Sequence, residues 1–229
     1  MRDASLDLLV ELSRPTSHDT VLDYASGAGM AGFSLASAVR SVEAADELPD
    51  TLEEGRRLAA ELGLGNTTFT LVDLYALPYA DGAFTLPVCR DAFHLLPEPV
   101  SALSELRRVT SPGGRLVVLD AVVDEVTDRA FNDLARLREP SHRRHYLPAE
   151  MEEIAGRAGW RVSDRRELRR TIDLDYWLQA AAVPPAKAEL IRGRFKSLPV
   201  DVQMRMDVAF ADRIISLSYD LLALRLERA

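Results

Sequence analysis

One segment, VLDYASGAGMAG at residues 21–32, constrains the fold more than any other part of the sequence. A run of β-prone residues ends at Tyr24, and Gly27 and Gly29 follow before a helix that we predict over residues 31–40. Glycines between a buried strand and a helix let the backbone turn sharply and let a ligand approach the main chain. The pattern predicts the first β-α unit of a nucleotide-binding sheet, although glycines also end strands for structural reasons alone.

Strand-like and helix-like segments alternate along the chain. We predict strands over residues 20–24, 41–45, 67–72, 83–90 and 115–123, and helices over 31–40, 49–62 and 100–109. Beyond residue 124 we predict helices over 125–138, 148–158, 173–182 and 185–195, and strands over 160–168 and 214–226. A helix is the competing interpretation of the last segment. Such alternation is typical of the α/β class, in which a parallel sheet carries helices on both faces.

Composition limits the classes of protein to which the chain can belong. With 229 residues, 47% of them hydrophobic, it has enough apolar material for a full core. Its one cysteine, Cys89, excludes a disulfide framework and indicates a reducing, cytoplasmic environment. We expect neither a signal peptide nor a membrane partner, because no long run of uncharged apolar residues occurs. A net charge of −8 argues against general nucleic-acid binding.

A carboxylate, Asp46, stands at the end of the second predicted strand. In a β-α-β unit this position lies beside the ribose of a bound nucleotide, where a carboxylate accepts hydrogen bonds from both hydroxyls. The alternative is a structural cap of a helix or turn. We predict the ribose role, because the acidic residue follows the glycine turn at the separation that such a unit requires.

The motif DYASGAG at residues 23–29 resembles the first motif of class I S-adenosylmethionine-dependent methyltransferases. It is most similar to the ubiquinone/menaquinone-biosynthesis type, in which an alanine at the position of Ala25 is frequent. Further blocks resemble the same family in order: VDLYALPY at 72–79, DGAF at 81–84, VCRDAFHLL at 88–96, ELRRVTSPGGR at 105–115 and REPSHRRHY at 138–146. The likeness covers residues 20–225, and ordered blocks are far more specific than any one of them.

The resemblance implies a Rossmann-like, doubly wound, mostly parallel sheet of seven strands in a single domain over residues 1–229. Residues 20–123 would form the cofactor-binding half, residues 124–195 helical substrate or lid insertions with one strand, and residues 196–229 the closing strand region. The implied cofactor is S-adenosylmethionine, and the product is S-adenosylhomocysteine. The implied cofactor-binding residues are Asp23, Ala25, Ser26, Gly27, Gly29, Asp46, Glu47, Asp73, Leu74 and Arg90.

Three features depart from the pattern of this family. Thr85 follows Phe84 where the family commonly has Asp, and Pro87 falls inside the fourth predicted strand, where it cannot donate to a ladder. We expect Pro87 to lie at a bulge or just before pairing begins. The segment before the first strand is short, and residues 5–12 supply about two helical turns. We therefore expect an open cleft or one covered by a partner subunit, in a monomer or a homodimer.

His94 follows the fourth predicted strand, where a side chain can face the transferred methyl group. We predict that it is the catalytic base, because the pKa of histidine lies near the operating pH; a polar residue satisfied by the loop is the alternative. Arg90 and Asp91 would line the cofactor or pair with each other. We predict no metal site, because His142 and His145 lack further identifiable ligands. Predicted substrate-binding residues, for which a solvated loop or core packing is the alternative, are Phe93, His94, His142, Tyr146 and Trp177.

These observations predict methyl transfer from S-adenosylmethionine to a small, apolar or aromatic molecule, with carbon, oxygen and nitrogen all open as the acceptor atom. Transfer from a sulfonium requires alignment of donor and acceptor and exclusion of water, rather than metal or acyl-enzyme chemistry. Two alternatives remain on the same fold. One is a cyclase or decarboxylase that binds the cofactor without transferring methyl, and the other is a non-catalytic cofactor-binding subunit.

Overall fold

The computed structural model describes residues 3–211 and 214–228. Residues 1, 2, 212, 213 and 229, which fall within the predicted domain, lie outside the described residues. The strands are β1 (Thr20–Tyr24), β2 (Ser41–Asp46), β3 (Thr67–Leu71), β4 (Leu86–Arg90), β5 (Arg115–Val122), β6 (Trp160–Asp173), β7 (Ala209–Ala211) and β8 (Ile214–Arg228). The helices are α1 (Ala4–Ser13), α2 (Met30–Ala36), α3 (Pro49–Glu61), α4 (Pro99–Val109), α5 (Asp128–Arg138), α6 (Pro148–Arg157), α7 (Leu174–Ala180), α8 (Pro185–Lys196) and α9 (Val200–Arg205).

One sheet joins the strands in the order β3-β2-β1-β4-β5-β8-β6, and β7 pairs with β8. The strands β1 to β5 run parallel, whereas β8 is antiparallel to β5, β6 and β7. The predicted α/β class with a mostly parallel sheet is confirmed. The predicted number of seven strands is wrong, because the three-residue strand Ala209–Ala211 adds an eighth. Its three residues are too few to show an alternating pattern in the sequence.

Apolar side chains alternate between the two faces of the sheet, and helices cover both. On one face Leu116 and Val118 of β5 pack with residues of α4 and α6. On the other face Val117 and Leu119 pack with residues of α1 and α2. A third cluster joins α5, α7, α8 and α9 to the start of β8 and contains Phe131. Among the described residues, no helix is both long and apolar enough to cross a bilayer.

Several element boundaries differ from the sequence prediction, most of them in the C-terminal half. The strand β6 runs to Asp173, beyond the predicted end at residue 168, because β8 is long enough to pair with it throughout. The helix interpretation of residues 214–226 is wrong, since Ile214–Arg228 is a strand. The helix α2 ends at Ala36 instead of continuing to residue 40. The helix α9 was not predicted, because Val200–Arg205 is too short to show a helical period.

Pro87 causes no register shift in β4. It aligns with Leu22 of β1 within a continuous register, and pairing with β5 begins one residue later, at Val88. The expectation of a bulge is therefore wrong, whereas the expectation that Pro87 precedes pairing is correct for the β5 side. The missing N–H of Pro87 is tolerated at this end of the strand.

Thr85, where the family commonly has Asp, belongs to a polar cluster at the amino ends of three parallel strands. Its hydroxyl donates to Oδ1 of Asp19 at 2.7 Å and accepts the N–H of Thr20 at 3.0 Å. Arg115 donates to both Asp19 oxygens, at 2.9 and 2.8 Å. Burial would raise the pKa of Asp19, but the hydrogen bonds from Arg115 and Thr85 hold that pKa well below its usual range. This cluster ties β1, β4 and β5 together.

We expect Asp19→Asn to lower the free energy of unfolding at pH 7 by about 3–5 kcal/mol, because it leaves the Arg115 guanidinium without its buried partner. Since the folded-state pKa of Asp19 is depressed, its stabilisation is present above its unfolded pKa of about 4 and is lost as the pH falls toward the folded value. Urea denaturation at pH 7 and pH 3 measures both effects. The control Asp81→Asn, which breaks the exposed pair with Arg108, should cost less than about 1 kcal/mol. Equal losses in the two variants would contradict the assignment.

Candidate active site

The glycine turn connects the carboxyl end of β1 to α2 through residues with left-handed backbone. The φ angles are +53° at Ala25, +53° at Gly27 and +89° at Gly29. A left-handed alanine is uncommon, and such conformations concentrate at functional sites. A Cβ added at Gly27 would meet no atom within 4 Å, so this part of the turn faces open space. The local backbone thus leaves room for a ligand above β1.

Asp46 ends β2 directly against this turn. Its Oδ2 accepts the N–H of Gly27 at 2.7 Å, and its Oδ1 accepts the N–H of Leu48 at 2.9 Å. Each carboxylate oxygen can accept a further hydrogen bond, so both retain capacity for a ligand. Asp23 supports the turn from below, where its Oδ2 accepts the N–H of Gly32 at 2.7 Å. Burial raises the pKa of Asp23 to about 7.

The ends of β2 and β3 meet beside Asp46. The N–H of Leu74 donates to Oε1 of Glu47 at 3.3 Å, and the carbonyl of Leu74 accepts the Tyr24 hydroxyl at 2.9 Å. Asp73 accepts the N–H of Tyr75 at 2.8 Å and so shapes the turn after β3. Ser26 bonds through its N–H to the carbonyl of Ala45 in β2. These contacts group Asp46, the predicted ribose ligand, with the implied cofactor-binding residues Glu47, Asp73 and Leu74 at the carboxyl ends of β2 and β3.

A cavity of about 970 Å³ lies at the carboxyl ends of β4 and β5. It reaches Met30, the residue after Gly29, and passes His94 and Asp120 toward β6 and α7. Aromatic rings line its far side: Phe131, Tyr176, Trp177 and Tyr219. Several charged side chains also face it, among them Arg90, Asp91, Arg138 and Arg170. A concave space that combines aromatic rings with many charged side chains suits a small molecule.

His94 and Asp120 form a tight pair in the wall of this cavity. The His94 Nδ1 lies 2.7 Å from Oδ1 of Asp120, and the His94 N–H donates to Oδ2 at 3.1 Å. Burial opposes the charged ring, yet the charge of Asp120 and its hydrogen bond raise the pKa of His94 above the ordinary value. Burial would raise the pKa of Asp120, but the charge of His94 lowers it. Because the Asp120 carboxylate accepts the Nδ1 proton, Nε2 is the ring nitrogen left to exchange a proton.

Two further histidines surround His94 on the loop after α5. The ring centroids of His142 and His145 lie 5.4 and 4.8 Å from that of His94. Burial, with the nearby charge of His94, lowers the pKa of His142 to about 4 and that of His145 well below the ordinary value. Asn132 orders this loop, because its Oδ1 lies 2.8 Å from His142 Nε2 and accepts the His145 N–H at 2.7 Å.

Three side chains in the cavity wall place possible metal-donor atoms within 4.8 Å of one another: His94, Asp120 and His145. Both oxygens of Asp120, however, already accept hydrogen bonds from this chain. Oδ1 lies 2.7 Å from the His94 ring nitrogen and accepts the Ala121 N–H at 2.6 Å, and Oδ2 accepts the His94 N–H. This geometry suits a charge-paired histidine better than a metal centre, and the absence of a metal stays a prediction.

The other predicted site residues have different surroundings. Trp177 lines the cavity, with the guanidinium of Arg138 4.8 Å from its ring centroid. Phe93 is buried in the core and contacts the ring of Tyr146 at 5.5 Å, and neither is among the cavity-lining residues. Arg90 contacts residues of α1 and its own neighbour Asp91, at 3.1 Å. The predicted substrate set is thus split between the cavity and the core behind it.

Sequence reasoning missed several residues of the site. Asp120 is a lone carboxylate within the apolar run RLVVLDAVV of β5, and that isolation was the available signal. Buried charges need a partner, so a single acid in such a strand indicates a functional or paired group. Asn132 gave no signal, because its role depends on a loop that lies beside α5 only in the folded protein. The same is true of Ser5, which lies in the cavity wall through α1.

Comparisons with known proteins agree with this geometry. The methyltransferase domain family model matches residues 15–162. The uncharacterized methyltransferase YcgJ of Bacillus subtilis is 27% identical over 188 residues, which are 81% of this chain and 74% of that protein. The demethylmenaquinone methyltransferase of Thermus thermophilus is 37% identical over 113 residues, which are 48% of this chain and 51% of the relative.

Two solved structures show the same fold over most of this chain. The structure of YcgJ from Bacillus subtilis has a TM-score of 0.88 at 24% identity and covers 99% of both chains. The cyclase SpnF has a TM-score of 0.69 at 21% identity, over 98% of this chain and 80% of that chain. The family match extends over more than half of the chain. The chain therefore belongs to the methyltransferase domain family, as its motifs predicted, and is an S-adenosylmethionine-dependent methyltransferase.

Proposed function

We propose that this enzyme methylates a small aromatic or apolar molecule that binds in the cavity beside His94. The observation that carries the proposal is the His94–Asp120 pair, which lies in the cavity wall between the glycine turn and the aromatic side chains. The pair provides a proton acceptor where an acceptor molecule would face the methyl donor. The acceptor atom would be a hydroxyl oxygen or a carbon that becomes nucleophilic when it loses a proton.

The residues around the glycine turn suit the cofactor. Asp46 would accept hydrogen bonds from the ribose hydroxyls, and the open space at Gly27 would admit the methionine part. Glu47, Asp73 and the backbone at Leu74 would contact the adenine side. When bound, S-adenosylmethionine supplies an activated methyl group on a sulfonium, so the chain need only hold donor and acceptor in line and exclude water.

The pair of His94 and Asp120 is suited to general-base catalysis. Asp120 holds the His94 ring in one orientation and stabilises its charged form, as a buried carboxylate does for a catalytic imidazole. The proton of the acceptor would pass to Nε2 of His94. His142 and His145, whose pKa values are lowered, stay neutral and do not compete for charge in the same wall.

The aromatic side of the cavity favours a planar ligand. The rings of Phe131 and Trp177 lie nearly parallel, at 23°, with centroids 6.0 Å apart. Arg138 fixes the position of Trp177, since its Nε donates to the Trp177 carbonyl at 2.9 Å and its guanidinium lies over the indole. Rigid ring walls of this kind bind flat apolar groups at little cost in conformational entropy.

We expect Asp46→Asn to weaken the binding of S-adenosylhomocysteine by about 10–100-fold, measured by titration calorimetry. The introduced NH₂ group would face the N–H of either Gly27 or Leu48, so one hydrogen bond is lost and a ribose acceptor disappears. The matched control is Asp50→Asn, an exposed acid in the first turn of α3, which should bind as the wild type does. Wild-type affinity in a folded Asp46→Asn protein would refute the ribose assignment.

We expect methyl transfer to rise with pH through an apparent pKa above about 6.5, because the base must be neutral and Asp120 raises the pKa of His94. An acceptor found by S-adenosylhomocysteine release from a metabolite panel makes the profile measurable. In Asp120→Asn the rising limb should move to lower pH, and the rate at pH 8 should fall about 10²–10³-fold. An unchanged profile would exclude His94 as the base.

The same panel tests the two alternatives on this fold. A cyclase or decarboxylase would consume a substrate without releasing S-adenosylhomocysteine, and a non-catalytic subunit would bind the cofactor without turnover. Product release that depends on both His94 and the cofactor supports methyl transfer.

A further inference from the structure

Asp3, the N-cap residue of α1, contributes a carboxylate that bridges two arginines inside the cavity wall. Oδ2 of Asp3 accepts from Nη2 of Arg90 at 2.6 Å, and Oδ1 accepts from Nη2 of Arg170 at 3.2 Å. The Ser5 hydroxyl accepts from Nη2 of Arg90 at 2.8 Å and also contacts Nη2 of Arg170. Arg90 ends β4 and Arg170 lies on β6, so two distant strands converge on one anionic group.

Two positive and two negative side chains meet at this point, so a ligand anion that replaced the Asp3 carboxylate would keep the charges balanced. The two guanidinium groups face two carboxylates, Asp3 and Asp91, the second at 3.1 Å from Arg90 and 3.9 Å from Arg170. The arginine side chains are 14% and 21% exposed, whereas Asp3 is 39% exposed and stands at the beginning of α1. The Asp3 carboxylate is also the N-cap of α1, where its Oδ1 accepts the N–H and the hydroxyl of Ser5, so a ligand carboxylate that replaced it would have to take over these contacts.

We propose that Arg90, Arg170 and Ser5 form a carboxylate subsite of the acceptor cavity, and that Asp3 fills this subsite when no acceptor is bound. The acceptor is then an aromatic carboxylate, and its acidic group replaces Asp3 while its ring lies toward Trp177. This inference rests on the proposed function and names the class of its substrate. Two arginines that converge on one point are a strong pattern for carboxylate recognition.

The position of Arg170 favours the acceptor over the cofactor as the source of the carboxylate. The strand β6 is the far edge of the sheet, separated from β4 by β5 and β8. Its next residues, Thr171 to Asp173, also line the cavity and lead directly into α7. A carboxylate held between Arg90 and Arg170 therefore lies on the route from the turn to the aromatic wall.

The test uses Asp3→Gly, which removes the internal carboxylate while glycine remains acceptable at the start of a helix. We expect 50 mM benzoate to raise the Tm of this variant by about 3–6 °C, the shift for a dissociation constant tenfold below that concentration. Benzamide, which has the same ring without the charge, and sodium chloride at equal ionic strength should each raise it by less than about 1 °C. Wild-type protein should respond less to benzoate, because Asp3 competes.

Two double variants complete the design. Asp3→Gly with Arg170→Gln should lose the benzoate shift, whereas Asp3→Gly with Arg165→Gln, a change on the same strand outside the cavity, should keep it. Equal shifts with benzoate and benzamide in Asp3→Gly, or an unchanged shift after Arg170→Gln, would overturn the subsite.

To distinguish an acceptor carboxylate from the cofactor's own carboxylate, the measurement is repeated with saturating S-adenosylhomocysteine and with 5′-methylthioadenosine, which lacks the amino-acid part. A benzoate shift that persists with both supports an acceptor subsite. A shift abolished by S-adenosylhomocysteine alone would assign the arginines to the cofactor and overturn the proposal. Binding of S-adenosylhomocysteine itself reports on the proposed function, so its failure is distinguishable from failure of the subsite.

Discussion

The antiparallel ladder between β5 and β8 is the constraint on which the whole cavity depends. It aligns Arg115 with Glu227 and Val122 with Asp220 without a register shift. The C-terminal strands therefore extend the nucleotide-binding sheet instead of packing as a separate layer. On its other side β8 carries β6, which places Arg170 and α7 above the carboxyl ends of β4 and β5. Without this ladder the cavity would lack the wall that β6 and α7 form.

The features that the sequence predicted well are local ones. Gly27 follows β1 and Asp46 ends β2, the neighbouring strands of one β-α-β unit, and the spacing within such a unit is set by the length of a single helix. Parallel pairing then brings both residues to the same edge of the sheet. The hydrogen bond from the Gly27 N–H to Asp46 follows from that pattern. The proximity of these two residues can be predicted without the rest of the fold.

Features that depend on distant parts of the chain could not be predicted in the same way. The partner of His94 is Asp120, on a strand whose pattern indicates only a buried interior position. Asn132 acts through a loop that returns beside α5, and Asp3 contacts Arg170, which is 167 positions away in the sequence. The extent of β6 was also underestimated, because its exposed arginines obscure the alternation and only β8 determines where pairing stops.

The polar cluster of Asp19, Thr85 and Arg115 lies at the amino ends of the strands. The pair of His94 and Asp120 lies at the opposite, carboxyl ends. The cluster that joins β1, β4 and β5 is thus spatially separate from the charged groups that line the cavity. A change in this cluster, such as Asp19→Asn, would alter stability and leave the charged groups of the cavity in place. Such a division lets heat tolerance and substrate choice evolve along separate routes within one domain.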